Sequence, residues 1–266
     1  MSFNYIDSYI DHDEYKEIYR NGFRKFNVTV FACFKYIFDR LIAAFGTIVL
    51  SPIMLIIAFI IKIDSKGPIL FRQNRTGKGG KKIVIYKFRT MVVDNDVYVY
   101  SKEDECTKIG RFLRKTSLDE LPQIISILKG DMSFIGPRPW IHDYYINMNE
   151  FQRYRYSVRP GLTGLAQING RNNITIFEKI RYDLEYIENY SLRQDIKIFF
   201  ITIKKVLKAE GVNAGKDGIH KELSDLKAAN GSYVYGAAED IGAADNGSIN
   251  NEADTVNEIV EEQIYV

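Results

Sequence analysis

The stretch from Leu41 to Ile61, LIAAFGTIVLSPIMLIIAFII, carries no charge over 21 positions. As an α-helix it would be about 31 Å long, close to one hydrocarbon core. A soluble helix of that length normally shows a polar stripe, and this one shows none. Membrane insertion is therefore expected. The run starts forty residues into the sequence and no small-residue cleavage site follows it, which argues against the core of a signal peptide.

Ser51 and Pro52 stand at its centre, where proline removes a backbone donor and crowds the preceding turn. Lys35 and Arg40 flank one end and Lys62 and Lys66 the other, so the positive-inside rule gives no orientation. On the residues alone two readings stay open: a kinked spanning helix, and a helix that turns at Ser51-Pro52 and leaves on the face it entered. The symmetry of charge favours the second.

Net charge is +2, but this hides an asymmetry. Asp217 to Val266 holds 11 acidic and 2 basic residues, which leaves 34 basic against 23 acidic in the rest, a net of +11. The body is a cation, suited to nucleic acid, a phosphate-bearing substrate or an anionic membrane surface. Cys33 and Cys106 lie far apart and suggest no disulfide framework, so a reducing compartment is expected. His12, His142 and His220 show no metal-ligand spacing, and the sequons at Asn27 and Asn173 carry no meaning on a cytosolic face.

After the apolar run, Ile69 to Arg72 and Ile83 to Phe88 read as strands of a hairpin around Gly77-Lys78-Gly79-Gly80-Lys81-Lys82. That turn lacks the Walker spacing and is followed by a strand, which argues against a nucleotide loop. Helical patterns follow at Thr107 to Lys129, Phe177 to Tyr190 and Ile196 to Leu207. In the last of these, Lys197, Lys204 and Lys208 share a face, as in an interfacial helix or a plain solvated one. Order is expected to fade beyond Gly211, leaving an acidic flexible tail over 216–266 with a short amphipathic stretch near Ile259.

Reactive residues are densest in GRFLRKTSLDELPQIISILKGDMSFIGPRP, Gly110 to Pro139. Arg111, Arg114 and Lys115 precede adjacent carboxylates at Asp119 and Glu120. Ser117-Leu-Asp-Glu120 fits a capping box, which alone would explain the acids, although Pro122 weakens that helix start. A carboxylate at a helix N-terminus beside several guanidinium groups is also expected to stay ionised and to face a place where a phosphate would be welcome.

From about Phe34 to Gly215 the sequence resembles the bacterial sugar transferase family, the monotopic phosphoglycosyl transferases. Nine blocks in order carry the resemblance. They are Lys35-Tyr-Ile-Phe-Asp39-Arg40, Ser51-Pro52, Asp64-Ser-Lys-Gly-Pro68, Phe71-Arg-Gln-Asn-Arg-Thr-Gly77 and Tyr86-Lys-Phe-Arg-Thr-Met91. Thr116-Ser-Leu-Asp-Glu-Leu-Pro-Gln123, Gly136-Pro-Arg-Pro139, Arg159-Pro-Gly-Leu-Thr-Gly164 and Asn169-Gly-Arg171 complete them. Each is weak alone; the ordered set is specific.

The resemblance implies a predominantly helical α+β fold with a re-entrant helix-break-helix kinked at Ser51-Pro52, a β-hairpin and interfacial amphipathic helices. It implies an N-terminal extension over 1–30, a catalytic domain over 31–215 and a place on the cytoplasmic face of the bacterial inner membrane. The larger members begin with several spanning helices, so this chain resembles the minimal form. The implied reaction moves a sugar-1-phosphate from a nucleoside-diphosphate sugar, expected to be a UDP-sugar, to undecaprenyl phosphate with release of UMP. Asp119 would be the nucleophile, Glu120 would help hold Mg²⁺, and Arg114 would serve catalysis. Lys87, Arg89, Pro137, Arg138 and Arg171 would bind substrate. A homo-oligomer or downstream glycosyltransferases are further candidate partners, whereas nucleic acid is not expected, since no binding motif accompanies the charge. A membrane-anchored scaffold of a glycan assembly complex is the competing reading, and it would not need Asp119.

Overall fold

The computed structural model describes residues 26–92, 106–170, 173–208 and 219–239. Arg171, the 1–25 part of the extension and the tail from 240 onward, with the stretch near Ile259, lie outside these. Helices dominate, joined by two small two-stranded sheets.

The apolar run lies inside α1, Phe26–Asp64, the one helix among the described residues that is long and apolar enough to cross a membrane. It continues through Pro52 instead of breaking into two helices. Proline at 52 deprives the Ile48 carbonyl of its usual amide donor. The Ser51 hydroxyl, 2.8 Å from that carbonyl oxygen, donates in its place. The Ser-Pro pair is thus locally self-compensating, and the residue types that suggested a break also allow the helix to go on.

One narrow stripe of α1 packs on the body, while Phe45, Ile48, Leu55 and Phe59 remain exposed. Ala43 is buried and Leu50 partly so in a cluster with Ile83, Ile85, Ile124, Ile127 and Met132. Ile57 and Ile61 pack with Phe88 and Leu113. Both flanks of the apolar run are tied to this one body. On the N-terminal side Arg40 donates to the carbonyls of Leu128 and Lys129 at 3.0 and 2.8 Å, and Lys35 to Asp195 at 2.6 Å. On the other side Asp64 accepts from the Ile109 amide at 3.2 Å.

The expected hairpin is present, with β1, Leu70–Thr76, antiparallel to β2, Lys82–Phe88, in register from Leu70 opposite Phe88 to Thr76 opposite Lys82. The helical pattern from Thr107 to Lys129 resolves into three pieces: α2, Lys108–Thr116, a 3-10 turn at Leu118–Gln123, and α3, Ile124–Lys129. The capping box expected at Ser117 is absent. Ser117 adopts φ 58° and ends α2, and its side chain caps nothing. Pro122 has no amide to donate to Leu118, so an α-helix starting there would lose a bond, and the tighter turn forms instead.

Two short strands not anticipated from the sequence, β3, Ser133–Ile135, and β4, Gly161–Thr163, pair in parallel. Between them lie α4, His142–Ile146, and α5, Glu150–Arg153; α6, Leu165–Asn169, follows β4. Two of the expected helices appear as α7, Ile176–Glu188, capped by Thr175 and Glu178, and α8, Leu192–Leu207. α8 buries Asp195 and Ile198 and leaves Leu192, Ile196, Phe199, Phe200, Ile203 and Leu207 exposed.

The flexible tail expected from residue 216 needs correction over 219–239, which form α9, Ile219–Glu239. The chain divides into units Met1–Ala229 and Asn230–Val266, so the first half of α9 belongs with the body. Its Leu226 is fully buried in a cluster with Trp140, Tyr144, Ile180 and Leu184, and Ile219 and Leu223 pack beside it. Average composition concealed this helical spacing of apolar residues among the acids.

Candidate active site

The candidate site is built on the 3-10 turn of Leu118–Gln123. Leu118 and Leu121, three apart and so on one side of a 3-10 turn, pack on the cluster formed by Ile57 and Ile61 of α1, Phe88 of β2 and Leu113 of α2. Asp119 and Glu120 are thereby carried on a short element packed against the cluster through which α1 meets the body. The left-handed Ser117 just before them is the one non-glycine residue with positive φ among those described, and such conformations persist where surrounding structure enforces them.

Glu120 is held by two cations at one oxygen. Lys87 Nζ from β2 and Arg138 Nη2 from the loop after β3 each donate to its Oε1 at 2.7 Å. Burial alone would raise the Glu120 pKa, but these two charges and hydrogen bonds outweigh it and hold the group well below the usual carboxylate range. Asp119, only 8% exposed, is driven the other way. Burial and the neighbouring Glu120 charge lift it to about 6, against the pull of Lys87, Arg114 and Arg138. Two adjacent carboxylates with opposed environments are set for different tasks.

Arg114 reaches the site from the last turn of α2, its Nε donating to Thr90 Oγ1 at 2.9 Å. Gly110, one turn earlier, makes this possible: a Cβ there would lie 2.0 Å from the Thr90 carbonyl oxygen. Arg75 of β1 is a fourth cation. Its burial and the nearby Arg138 charge lower its pKa to about 10. A site that crowds Arg75 against Arg138 is one that an anion would relieve.

Arg138 is shaped from behind. Pro137 and Pro139 on either side restrict the backbone. The Pro137 carbonyl accepts from Gly161 N at 2.9 Å, and Gly136 N donates to Thr163 O at 2.9 Å, so the Gly-Pro-Arg-Pro and Arg-Pro-Gly-Leu-Thr-Gly blocks are joined through the β3–β4 pair. Arg155 supports the Arg138 carbonyl with a 2.8 Å bond. Its guanidinium also makes 2.9 and 2.6 Å bonds to Asp183 and lies 3.6 Å from the centre of the Trp140 ring. The result is a two-layered arrangement, with an acidic pair among cations in front and a sealed ion pair behind.

Residues 30–209 match the family described as bacterial sugar transferase. The chain belongs to that family. It is 43% identical over 180 residues to the uncharacterized sugar transferase EpsL of Bacillus subtilis, covering 67% of this chain and 89% of EpsL. It is 45% identical over 184 residues to the UDP-glucose:undecaprenyl-phosphate glucose-1-phosphate transferase of Klebsiella pneumoniae, and 39% identical over 194 to the UDP-N-acetylgalactosamine-undecaprenyl-phosphate N-acetylgalactosaminephosphotransferase of Aeromonas hydrophila. The shared stretch takes in 65% and 68% of this chain but only 40% and 45% of those two longer proteins.

In this sugar transferase, the fold brings Lys87, Arg114, Asp119, Glu120 and Arg138 together from four separate segments. Arg89 is placed differently. It is buried, and its terminal nitrogens donate to the Ser65 and Lys66 carbonyls and to Ser65 Oγ at 2.7–2.8 Å, holding the turn that follows α1. The sequence reading missed Arg75, although it lies within the quoted Phe71 to Gly77 block, and it missed Arg155 and Asp183. β1 runs on to Thr76, past the strand end expected at Arg72, which left Arg75 outside that strand, whereas the Arg155–Asp183 pair spans 28 positions with no motif to link its members.

Proposed function

We propose that this transferase moves a sugar-1-phosphate from a UDP-sugar to undecaprenyl phosphate through a covalent intermediate on Asp119. The observation that carries the reading is the placement of buried Asp119 beside Lys87, Arg114 and Arg138, on a turn that packs on the cluster through which α1, the candidate membrane helix, meets the body. A soluble diphosphate donor and a lipid phosphate acceptor can share one nucleophile only at such a boundary. The names of the long relatives supply the reaction class.

In the first half-reaction an Asp119 carboxylate oxygen attacks the sugar-bearing phosphorus. An oxygen–phosphorus bond forms, the diphosphate bridge breaks, and UMP leaves with the bridging electron pair. In the second, a phosphate oxygen of the lipid attacks the same phosphorus, the bond to Asp119 breaks, and the free carboxylate returns. Asp119 needs no base: with a pKa of about 6, roughly nine-tenths is ionised at pH 7. Arg138, Arg114 and Arg75 lie where charge on the diphosphate would develop, and guanidinium groups pair well with phosphate oxygens. Pro137 serves by fixing Arg138. For Arg89 the contacts favour support of the turn after α1 over substrate contact, and Arg171 remains a phosphate-binding proposal from the resemblance.

Among the described residues no three His, Cys, Asp or Glu side chains converge on a point. Mg²⁺ requires fewer, since one or two carboxylates commonly hold it with water and substrate phosphate oxygens. The adjacent Asp119 and Glu120 fit that pattern, and Glu120 is the proposed ligand, joined by the donor's diphosphate. When bound, Mg²⁺ neutralises charge on the leaving phosphate.

We place the body on the cytoplasmic face, with both flanks of α1 on that side. Support comes from Arg40 and Asp64, which border the apolar run and bond to the same body. The exposed apolar face of α8, bordered by Lys197, Lys204 and Lys208, suits the interface. Incubation with UDP-sugar and Mg²⁺ but no acceptor tests the mechanism by mass spectrometry. A phosphosugar adduct on the Asp119 peptide is expected. Full turnover with no adduct under any quench would favour direct attack by the lipid phosphate.

A further inference from the structure

Helix α9 lies beyond the residues that match the family, yet its first half is built into the body behind the site. Glu222 is buried there and accepts two bonds, from Tyr144 Oη of α4 at 2.7 Å and from Lys179 Nζ of α7 at 2.5 Å. Leu226, one turn on, is fully buried between the same two helices. Both partners of Glu222 lead toward the reacting groups. Tyr144 packs on Trp140, ring centres 5.0 Å apart, and Trp140 carries the Arg155 guanidinium on its face. Lys179 lies four residues before Asp183 on α7, where burial raises the Asp183 pKa and the charges of Arg155 and, less strongly, Lys179 oppose that rise, and Asp183 holds Arg155 from the other side. Arg155 then bonds the Arg138 carbonyl, and the Arg138 side chain bonds Glu120.

We propose that Glu222, with the α9 helix that carries it, is a positioning element of the active site: docking of α9 fixes Trp140 and Arg155, and through them the loop that aims Arg138 at Glu120. Glu222 touches no reacting atom. Its role follows from burial and charge: removal of the carboxylate takes the 2.5 Å ion pair from Lys179 and the 2.7 Å bond from Tyr144 Oη. Removal of Leu226 opens the cluster under Trp140. A packed core passes such changes on because it has few alternative arrangements.

Hydrogen exchange on full-length protein in detergent, with no substrate, tests the proposal independently of the transfer reaction on which its importance rests. Leu226→Asp should undock α9 and raise exchange in the peptide covering Ile135 to Ile141 at least tenfold, with the β1–β2 hairpin unchanged. In the same protein the UDP-sugar KM should rise at least fivefold while the fold still melts above the assay temperature. Increased exchange confined to α4 and α7, with the 135–141 peptide at its wild-type rate, would overturn the proposal. If Leu226→Asp loosens the hairpin too, Glu222→Gln decides, since it keeps the apolar anchor. A threefold or larger rise at 135–141 supports positioning, and no rise refutes it. A wild-type protein inert toward every UDP-sugar would sink the proposed function and leave the exchange result standing.

Discussion

Two ion-paired regions lie within one loop of each other and are built on opposite plans. Behind the site, Arg155 and Asp183 form a one-to-one pair, each side chain at most 1% exposed. In front, Glu120 shares one oxygen between Lys87 and Arg138, and Arg75 and Arg114 lie close by. The rear pair matches one buried cation to one buried carboxylate, both Arg155 bonds falling on Asp183 Oδ2. Among the described residues the front group sets four cations, Lys87, Arg75, Arg114 and Arg138, around two carboxylates, an arrangement that suits a further anion. Balanced burial supplies rigidity, whereas unbalanced burial supplies a binding site with reactive pKa values.

The largest effect should come from Asp119, whose ionisation burial and Glu120 oppose even with these cations near. Asp119→Asn should lower transfer at least about a thousandfold, roughly 4 kcal/mol of transition-state stabilisation. Stability should move the other way. The folded-state pKa of Asp119 is raised from 3.8 to about 6, so folding opposes its ionisation. That penalty is absent below pH 4, grows between pH 4 and 6, and is full above. Two pKa units correspond to about 3 kcal/mol. Melting curves should therefore show Asp119→Asn more stable than wild type at pH 7.5 and equal to it near pH 4. In wild type, the rate of adduct formation at low donor concentration should fall about tenfold per pH unit below 6.

Arg155→Met reverses that pattern. It leaves Asp183 buried without its cation, a change that costs about 3–5 kcal/mol, or a drop of roughly 10 °C in melting temperature for a body of this size. Arg155→Met combined with Asp183→Leu should recover much of that loss, because replacing both charges removes the uncompensated one. Recovery of stability without recovery of donor affinity would show that the pair also sets the Arg138 loop.

A milder change sharpens the contrast. Arg75→Met removes a cation whose burial and proximity to Arg138 are unfavourable in the free protein. The donor KM should rise about tenfold, ~1.4 kcal/mol of binding. Thermal stability should rise slightly or hold. A loss of stability comparable to that of Arg155→Met would place Arg75 in the support layer instead.

What the sequence made legible follows from how local each signal is. The apolar run, the hairpin and the helices at α7 and α8 depend on periodicity within a dozen residues, and all four are present. The Asp119-Glu120 pair was found because it is contiguous, but its local setting was misread: Ser117 looked like a helix cap and is a left-handed helix end. The β3–β4 pair and the Arg155–Asp183 contact join residues 28 positions apart, where neither propensity nor spacing gives a cue. α9 was missed because acidic composition outweighed the spacing of Ile219, Leu223 and Leu226.

The smallest effect concerns α1, the region with fewest charges. Pro52 gives the Ile48 carbonyl no amide, and Ser51 Oγ supplies the donor at 2.8 Å. An unpartnered carbonyl in apolar surroundings costs about 1–3 kcal/mol, although slight helix relaxation offsets part of this. Ser51→Ala should therefore lower stability by about 1 kcal/mol, 2–4 °C in detergent micelles. In a Pro52→Ala background the backbone amide at 52 takes over, so Ser51→Ala should there cost close to nothing. The hydroxyl matters only because the proline is present, and the four melting temperatures measure that dependence. Equal losses in both backgrounds would mean that Ser51 acts through packing, and the local account of the Ser-Pro pair would fail.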